Sequence, residues 1–137
     1  MQMLTVPDVV AACRKAYADG TLLAQHAQEV RGDRARPRYA YQVGDWHCAI
    51  GCALSADTLG LVSRGRRQTK RVTGLIALGV VGVPDLQIKD VLDRVQVAHD
   101  AWLGNAAMNT THHARAAAED EKSFLALLDE LDTQFPN

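Results

Sequence analysis

The fold of this chain is decided by one stretch of its sequence, PDLQIKDVLDRVQVAHDAWLG at residues 84–104. Apolar side chains recur there every three or four residues, which is the period of one face of an α-helix. The apolar stripe consists of Ile88, Val91, Leu92, Val95, Ala98 and Trp102. The spacing predicts an amphipathic helix over residues 84–103. Gly104 should end it, because glycine readily adopts the left-handed conformation that closes many helices.

Five more helices are predicted outside this stretch. One covers residues 111–133 and repeats the pattern with Phe124, Leu127, Leu128, Leu131 and Phe135. Near the other end of the chain, Thr5 is a suitable cap for a first helix, which Gly20 would end. Weaker patterns predict helices over residues 22–30 and 66–78. Asp45 is a suitable N-cap for a further helix over residues 46–55.

The composition fits one globular domain. The chain has 137 residues, of which 47% are hydrophobic and 23% charged, a balance that supports a single core and argues against disorder. Aromatic residues make up 5%, so the core must consist of Leu, Val, Ile and Ala. We therefore predict a single helical domain over residues 1–137. Its fold class is mostly α, a compact bundle of four to six helices with one short β-strand or hairpin near residues 38–43.

The sequence also predicts a cytoplasmic location. The first ten residues lack the basic residues and apolar run of a signal peptide. The most apolar stretch, residues 74–83, is too short to span a bilayer, so no membrane partner is expected. Three cysteines are an odd number, which argues against a disulfide framework and suits a reducing compartment.

Charge is divided unevenly along the chain. Residues 1–84 contain eleven Lys and Arg against six Asp and Glu, whereas residues 85–137 contain four against ten. The basic half holds a cluster of candidate binding residues, Arg64, Arg66, Arg67, Lys70 and Arg71. The acidic half holds a second set on a predicted helix, Glu119, Asp120 and Glu121. Such a division suggests an oppositely charged partner, protein or nucleic acid, or head-to-tail association into a homo-oligomer.

Two cysteines raise the possibility of a metal site. Cys48 and Cys52 would lie one turn apart on a helix, so both sulfurs could reach one zinc ion. A structural site needs four ligands, and the others would have to come from the histidines His47, His99, His112 and His113. No second pair has ligand spacing, and the neighbours of the two thiols are small and apolar. We therefore expect buried, inert thiols and neither metal nor cofactor.

Catalytic chemistry is the least favoured alternative. Cys48 could be a nucleophile if it lay in the first turn of a helix, with His99 and Asp100 supplying a base. Adjacent residues should point to different helix faces, which leaves the histidine without an orienting partner. Residues 60–65 have the glycine spacing of a P-loop, but the lysine and hydroxyl that bind phosphate and magnesium are absent. The sequence therefore predicts no enzyme.

Three stretches resemble a small protein family encoded by bacteriophages and prophage-bearing bacteria. Its members carry C-A-I-G-C/A-L-I-P-D-E after an A-Y turn, and later L-Q-x-x-H-D-x-W and a tail rich in Phe and Leu. The first stretch here runs from Tyr39 to Leu54, the second is Val95–Trp102, and the third is Phe124–Leu131. The family's Pro-Asp-Glu is replaced by Ser55-Ala56-Asp57, and alanine is frequent in the family where Cys52 stands. The family has no assigned activity, so the resemblance implies origin rather than mechanism.

These motifs predict structural roles for five residues. Gly51 should let another helix approach closely, and Trp102 with His99 and Asp100 should lock that contact, with Cys48 in the same core. The favoured function is a non-enzymatic accessory protein of a phage or mobile element that binds a host or phage protein, for example to inhibit a host system. The alternative is a non-specific nucleic-acid-binding module that uses the arginine clusters.

Overall fold

The computed structural model describes residues 1–32, 41–63, 71–108 and 110–136. Within these ranges the chain forms six α-helices: α1 Val6–Asp19, α2 Ala27–Gly32, α3 Ala56–Ser63, α4 Val72–Ala77, α5 Leu86–Ala106 and α6 Thr111–Gln134. Four short strands accompany them: β1 Gln2–Met3, β2 Gln42–Val43, β3 Trp46–His47 and β4 Val81–Gly82. The predicted fold class, a compact and mostly helical bundle, is confirmed. None of the helices in the described ranges is long and apolar enough to cross a membrane.

Helices α5 and α6 form the centre of the bundle. They run antiparallel, since Asn105 bonds Asp120 at one end of the pair and Arg94 lies near Glu130 at the other. Between them Trp102 packs on Phe124, with ring centroids 5.7 Å apart. The buried residues of the two helices are Leu92, Val95, Gln96, His99, Trp102 and Leu103 on α5, and Ala117, Phe124, Leu127, Leu128 and Leu131 on α6. The periodicity therefore predicted the packing face of α6 and part of that of α5, where Ile88, Val91 and Ala98 are only half-buried.

Helix α5 continues past Gly104, contrary to the prediction. Its last residue is Ala106, and Gly104 is not among the glycines with positive φ, so it does not act as a left-handed cap. Two tertiary hydrogen bonds hold the extra turn. Asn105 donates to Asp120 of α6 at 2.6 Å, and the Ala106 carbonyl accepts from Gln28 at 2.8 Å. Tertiary contacts therefore override a local stop signal.

Helix α1 begins and ends where the sequence predicts. The Thr5 hydroxyl accepts from the Asp8 amide at 3.2 Å, and Gly20 closes the helix with a φ of 71°. Two side chains of the helix bind acidic residues of α6. Arg14 bridges two carboxylates of α6, at 2.6 Å each, and the Tyr17 hydroxyl donates to Glu121 at 2.6 Å.

The predicted helix over residues 46–55 is wrong. Trp46–His47 is strand β3, which pairs antiparallel with β2 across the two-residue loop Gly44-Asp45. Tertiary contacts stabilise the extended backbone: the His47 amide donates to the Thr21 carbonyl at 2.9 Å, and Trp46 stacks on His26 at 4.1 Å. Helical structure is limited to a 3₁₀ turn at Gly51–Ala53. The hairpin confirms the strand expected near residues 38–43, although residues 33–40 lie outside the described ranges.

The weaker helix predictions are correct in part. Residues 22–30 form a 3₁₀ turn, Leu23–His26, followed by α2. Helix α4 starts only at Val72, and residues 64–70 lie outside the described ranges. Helix α3 was not predicted, although Ser55 is its cap and accepts from the Thr58 amide at 3.2 Å. Because Gly60–Ser63 is helical, the glycine spacing there does not form a phosphate-binding loop.

Gly51 admits a backbone carbonyl rather than the helix that the sequence predicts. A Cβ atom at this position would overlap the Tyr41 carbonyl oxygen and press on the Cys48 sulfur. The Tyr41 carbonyl also accepts from the Cys48 amide at 3.1 Å, so it cannot move away without loss of a buried hydrogen bond. The 3₁₀ turn and the start of the hairpin are therefore joined at this glycine.

Substitution of Gly51 by alanine tests this contact. We expect Gly51→Ala to destabilise the fold by about 1–3 kcal/mol, because the new methyl group overpacks a fixed backbone atom. Gly60→Ala is the matched control. It lies inside α3 with no heavy atom within 4 Å of the new Cβ, so it should stabilise by about 0.5–1 kcal/mol. Urea denaturation of both variants measures the difference, and equal effects would contradict the described contact.

Candidate functional site

A surface groove of about 750 Å³ lies between α5 and α6. Apolar and charged side chains share its lining. The lining residues are Arg71, Asp90, Asp93, Arg94, Val97, Ala98, Ser123, Ala126, Leu127 and Glu130. Val97 is 43% exposed and gives the groove an apolar wall on α5. Ala98, Ser123 and Ala126 are small, so another chain could approach the two helices closely.

Helix α4 is attached to the edge of this groove by Asp93. One oxygen of the Asp93 carboxylate accepts from the Val72 amide at 2.9 Å, and the other accepts from the Thr73 hydroxyl at 3.0 Å. A carboxylate from α5 thus caps α4, whose own N-cap residue, Arg71, makes no side-chain cap bond. Asp93 thus places a negative charge at the N-terminus of α4, where the helix dipole favours it.

The charged residues of the groove form loose ion pairs. Arg94 lies 3.7 Å from Glu130, and Lys89 lies 3.3 Å from Asp90, whose side chain is 75% exposed. Exposed pairs at such distances contribute little to stability. These side chains are therefore available to bind a partner without much loss of folding free energy.

The three predicted acidic residues have different environments in the structure. Glu119 is exposed and lies 3.5 Å from Lys122. Asp120 and Glu121 are half-buried and accept hydrogen bonds at 2.6 Å, from Asn105 and from Tyr17. The bond to Glu121 raises the pKa of the Tyr17 hydroxyl. Asp120 and Glu121 therefore stabilise the bundle, and Glu119 alone of the three keeps its carboxylate on the surface.

The structure describes one residue of the predicted arginine cluster, Arg71. Arg64, Arg66, Arg67 and Lys70 lie outside the described ranges. Arg71 is exposed and lines the groove at the start of α4. A cation of this cluster therefore lies beside the groove and not on a separate surface.

His99 and Asp100 contact each other, contrary to the prediction that they point to different faces. The His99 Nδ1 atom is 3.3 Å from the Asp100 carboxylate, which also accepts from Gln96 at 2.7 Å. The His99 Nε2 atom accepts from the Ala24 amide at 3.3 Å, so the ring proton must be on Nδ1. His99 is fully buried, and both of its nitrogens are engaged. The arrangement resembles a catalytic pair but leaves no lone pair for a substrate proton.

Gln96 is a buried polar residue that the sequence pattern did not identify as a contact between segments. It is 4% exposed, and its side-chain oxygen accepts from the Ile50 amide at 2.9 Å. The signal was present, because Gln96 and His99 interrupt the buried face of an otherwise apolar stripe. Buried polar side chains almost always have a hydrogen-bond partner, so the pattern indicated a distant backbone group that it could not identify.

The cysteines are grouped differently from the prediction. Cys48 is fully buried outside any helix, its sulfur accepts from the Gly51 amide at 3.1 Å, and burial raises the pKa of its thiol. Cys52 contacts Cys13 of α1, with sulfur atoms 3.8 Å apart. His112 and His113 start α6 instead, where His113 bonds Thr110 at 2.6 Å. In the described part of the chain, no three His, Cys, Asp or Glu side chains are arranged to hold a metal ion.

Comparison of the chain with protein-family models, curated proteins and solved structures gives no match. The resemblance to a phage family therefore stays a prediction. The stretches that carry it do contact one another in the fold. Ile50 of the first is bonded to Gln96 of the second, and Trp102 of the second packs on Phe124 of the third.

The capping role of Asp93 can be tested by comparing its substitution with that of Asp90, one turn earlier on α5. We expect Asp93→Ala to destabilise the fold by about 0.5–2 kcal/mol, because α4 loses its cap. Asp90→Ala makes the same chemical change on the same helix, with the same gain in helix propensity, but removes only an exposed contact. Its effect should stay within about 0.5 kcal/mol. Thermal unfolding followed by circular dichroism compares the two, and similar losses would show that the cap is not significant.

Proposed function

We propose that this chain is a non-enzymatic binding protein that holds a helical segment of a partner protein in the α5–α6 groove. The observation that carries the proposal is the groove itself, whose lining combines the exposed Val97 with small residues on two adjacent helices. Grooves of this kind accept amphipathic helices, which insert apolar side chains at intervals of three or four residues.

The partner segment should carry basic residues beside its apolar face. Three carboxylates, from Asp90, Asp93 and Glu130, line the groove with the two guanidinium groups of Arg71 and Arg94. Three carboxylates against two guanidinium groups leave the lining with a net charge of −1. Complementary charge of this kind accelerates encounter and orients the partner more than it strengthens the complex.

A binding role also agrees with the state of the reactive side chains. His99, the best-placed base, has both nitrogens occupied by Asp100 and the Ala24 amide. Cys48, the nucleophile of the least favoured alternative, is fully buried with a raised pKa, whereas a reactive cysteine needs access and thiolate character. These features support a protein that acts by contact.

The origin of the partner follows from the resemblance to phage proteins. If the chain comes from a phage or prophage, its partner is a host or phage protein of the bacterial cytoplasm. Inhibition of a host system is one form that such binding would take. Binding of nucleic acid through the arginine clusters is the alternative, and a second copy of the chain is another occupant of the groove.

Substitution at Ala126 tests the groove. This residue is exposed and lines the groove, so Ala126→Glu should fill it and add charge without loss of stability. The matched control is Ala118→Glu, also exposed on α6 but roughly 130° around the helix from the groove-lining residues. A partner captured by the unmodified chain from a bacterial lysate should bind Ala126→Glu at least about tenfold more weakly, or about 1.4 kcal/mol. Its affinity for Ala118→Glu should be unchanged, as measured by calorimetry with both purified proteins.

Three outcomes would contradict the proposal. Equal affinity of both variants would show that the partner binds elsewhere. Sedimentation of the unmodified chain as a dimer, and of Ala126→Glu as a monomer, would identify a second copy as the occupant. Salt-sensitive binding of random duplex DNA, lost when Arg64, Arg66, Arg67 and Arg71 are replaced by alanine, would favour the nucleic-acid alternative.

A further inference from the structure

Two cysteines that are distant in sequence lie side by side in the fold. Cys13 is on α1 and Cys52 is in the 3₁₀ turn at Gly51–Ala53, and their sulfur atoms are 3.8 Å apart. Both thiols also lie within hydrogen-bond reach of one carbonyl oxygen, that of Ala49, at 3.3 and 3.0 Å. This shared acceptor fixes the two sulfurs next to each other. A movement of less than about 2 Å would bring them to the length of a disulfide bond.

We propose that Cys13 and Cys52 are a site of reversible thiol oxidation, at which a peroxide converts the two thiols to an intramolecular disulfide. The proposal does not depend on the groove or its partner, because neither cysteine lines the groove. It assigns a function to the one close pair of sulfurs among the three cysteines of the chain, all of which lie in the described ranges.

The two cysteines differ in the way that such a site requires. Cys52 is half-buried and is therefore the less enclosed of the two residues. Cys13 is fully buried on α1, and its contact with Cys52 together with burial raises the pKa of its thiol. We assign attack on the oxidant to Cys52, the less buried residue, and resolution of the intermediate to Cys13, whose sulfur lies next to it.

The chemistry balances with peroxide as the only co-reactant. The Cys52 thiol loses its proton, and the thiolate attacks one peroxide oxygen. The O–O bond breaks as an S–O bond forms, and the departing hydroxide takes up the proton that Cys52 lost and leaves as the first water. The Cys13 sulfur then attacks the Cys52 sulfur, the S–S bond forms, and the S–O bond breaks. The departing hydroxide takes the Cys13 proton and leaves as the second water. The two thiols lose two electrons and two protons in total, and one peroxide is reduced to two waters.

The disulfide would also change the stability of the fold. It would join α1 to the 3₁₀ turn across 39 positions of sequence, which restricts the unfolded chain. The same turn contains Gly51, which packs on the Tyr41 carbonyl. Oxidation should therefore raise the melting temperature of the protein and slow the exchange of the amides in this turn.

The experiment counts thiols in the full-length protein before and after treatment with hydrogen peroxide. After quenching and alkylation in denaturant, the reduced chain should have three free thiols and the oxidised chain one, with recovery of all three on addition of dithiothreitol. Because trypsin leaves Cys48 and Cys52 on one peptide, residues 39–64, the pair is assigned with variants. Cys48→Ala should keep the cross-link, and Cys52→Ser should lose it, each after circular dichroism has confirmed a folded chain.

Each alternative result would overturn the proposal. Three free thiols would show that the pair does not react, if the same dose oxidises the chain in denaturant. Stable sulfinic acid at Cys52 without a cross-link would show that Cys13 cannot resolve the intermediate. A cross-link that is lost in Cys48→Ala would assign the bond to Cys48 instead. The thiol count of the unmodified chain decides the first two results, even if a variant fails to fold.

Discussion

The structure depends on two polar side chains that α5 places inside the core. Gln96 is 4% exposed and His99 is fully buried, and each accepts a hydrogen bond from a backbone amide of another segment. A buried polar group without a partner costs about 1–3 kcal/mol of folding free energy. The fold must therefore provide a hydrogen-bond partner for each of these two side chains. They fix the positions of Ile50 and Ala24, which belong to irregular parts of the chain where regular backbone hydrogen bonds are few.

Other attachments to α5 follow from this arrangement. Asp93, one turn before Gln96, caps α4, and Asp100, one turn after it, receives the side-chain amide of Gln96 and lies beside His99. Residues at these spacings share one side of a helix. One side of α5 therefore holds short elements by polar contacts, while the apolar residues of the same helix pack on α6. This division lets a small domain include a hairpin and two 3₁₀ turns, whose own apolar side chains are also buried in the core.

The sequence predicted those parts of the fold that depend on local pattern. The spacing of the apolar residues and the capping residues Thr5 and Gly20 located α1, α5 and α6. These patterns depend on residues only a few positions apart in the sequence. The helix expected over residues 46–55 failed because His47 pairs with Thr21, a contact that no local signal encodes. Gly104 failed as a stop because Asn105 and Ala106 are held by other elements. For the same reason the sequence paired Cys52 with Cys48, four residues away, and not with Cys13 on another helix.

The proposed binding groove and the proposed thiol pair both rest on elements that α5 holds in place. Arg71 reaches the groove because Asp93 caps α4, and Cys52 reaches Cys13 because the turn that carries it is docked on Gln96. Amide hydrogen exchange tests this account most directly, since it measures each attachment separately. We predict that the amides of Ile50 and Ala24 exchange as slowly as those of Leu92 and Val95 in the centre of α5. Exchange as fast as that of the exposed loop residue Asp45 would contradict the claim that polar side chains of α5 organise the fold.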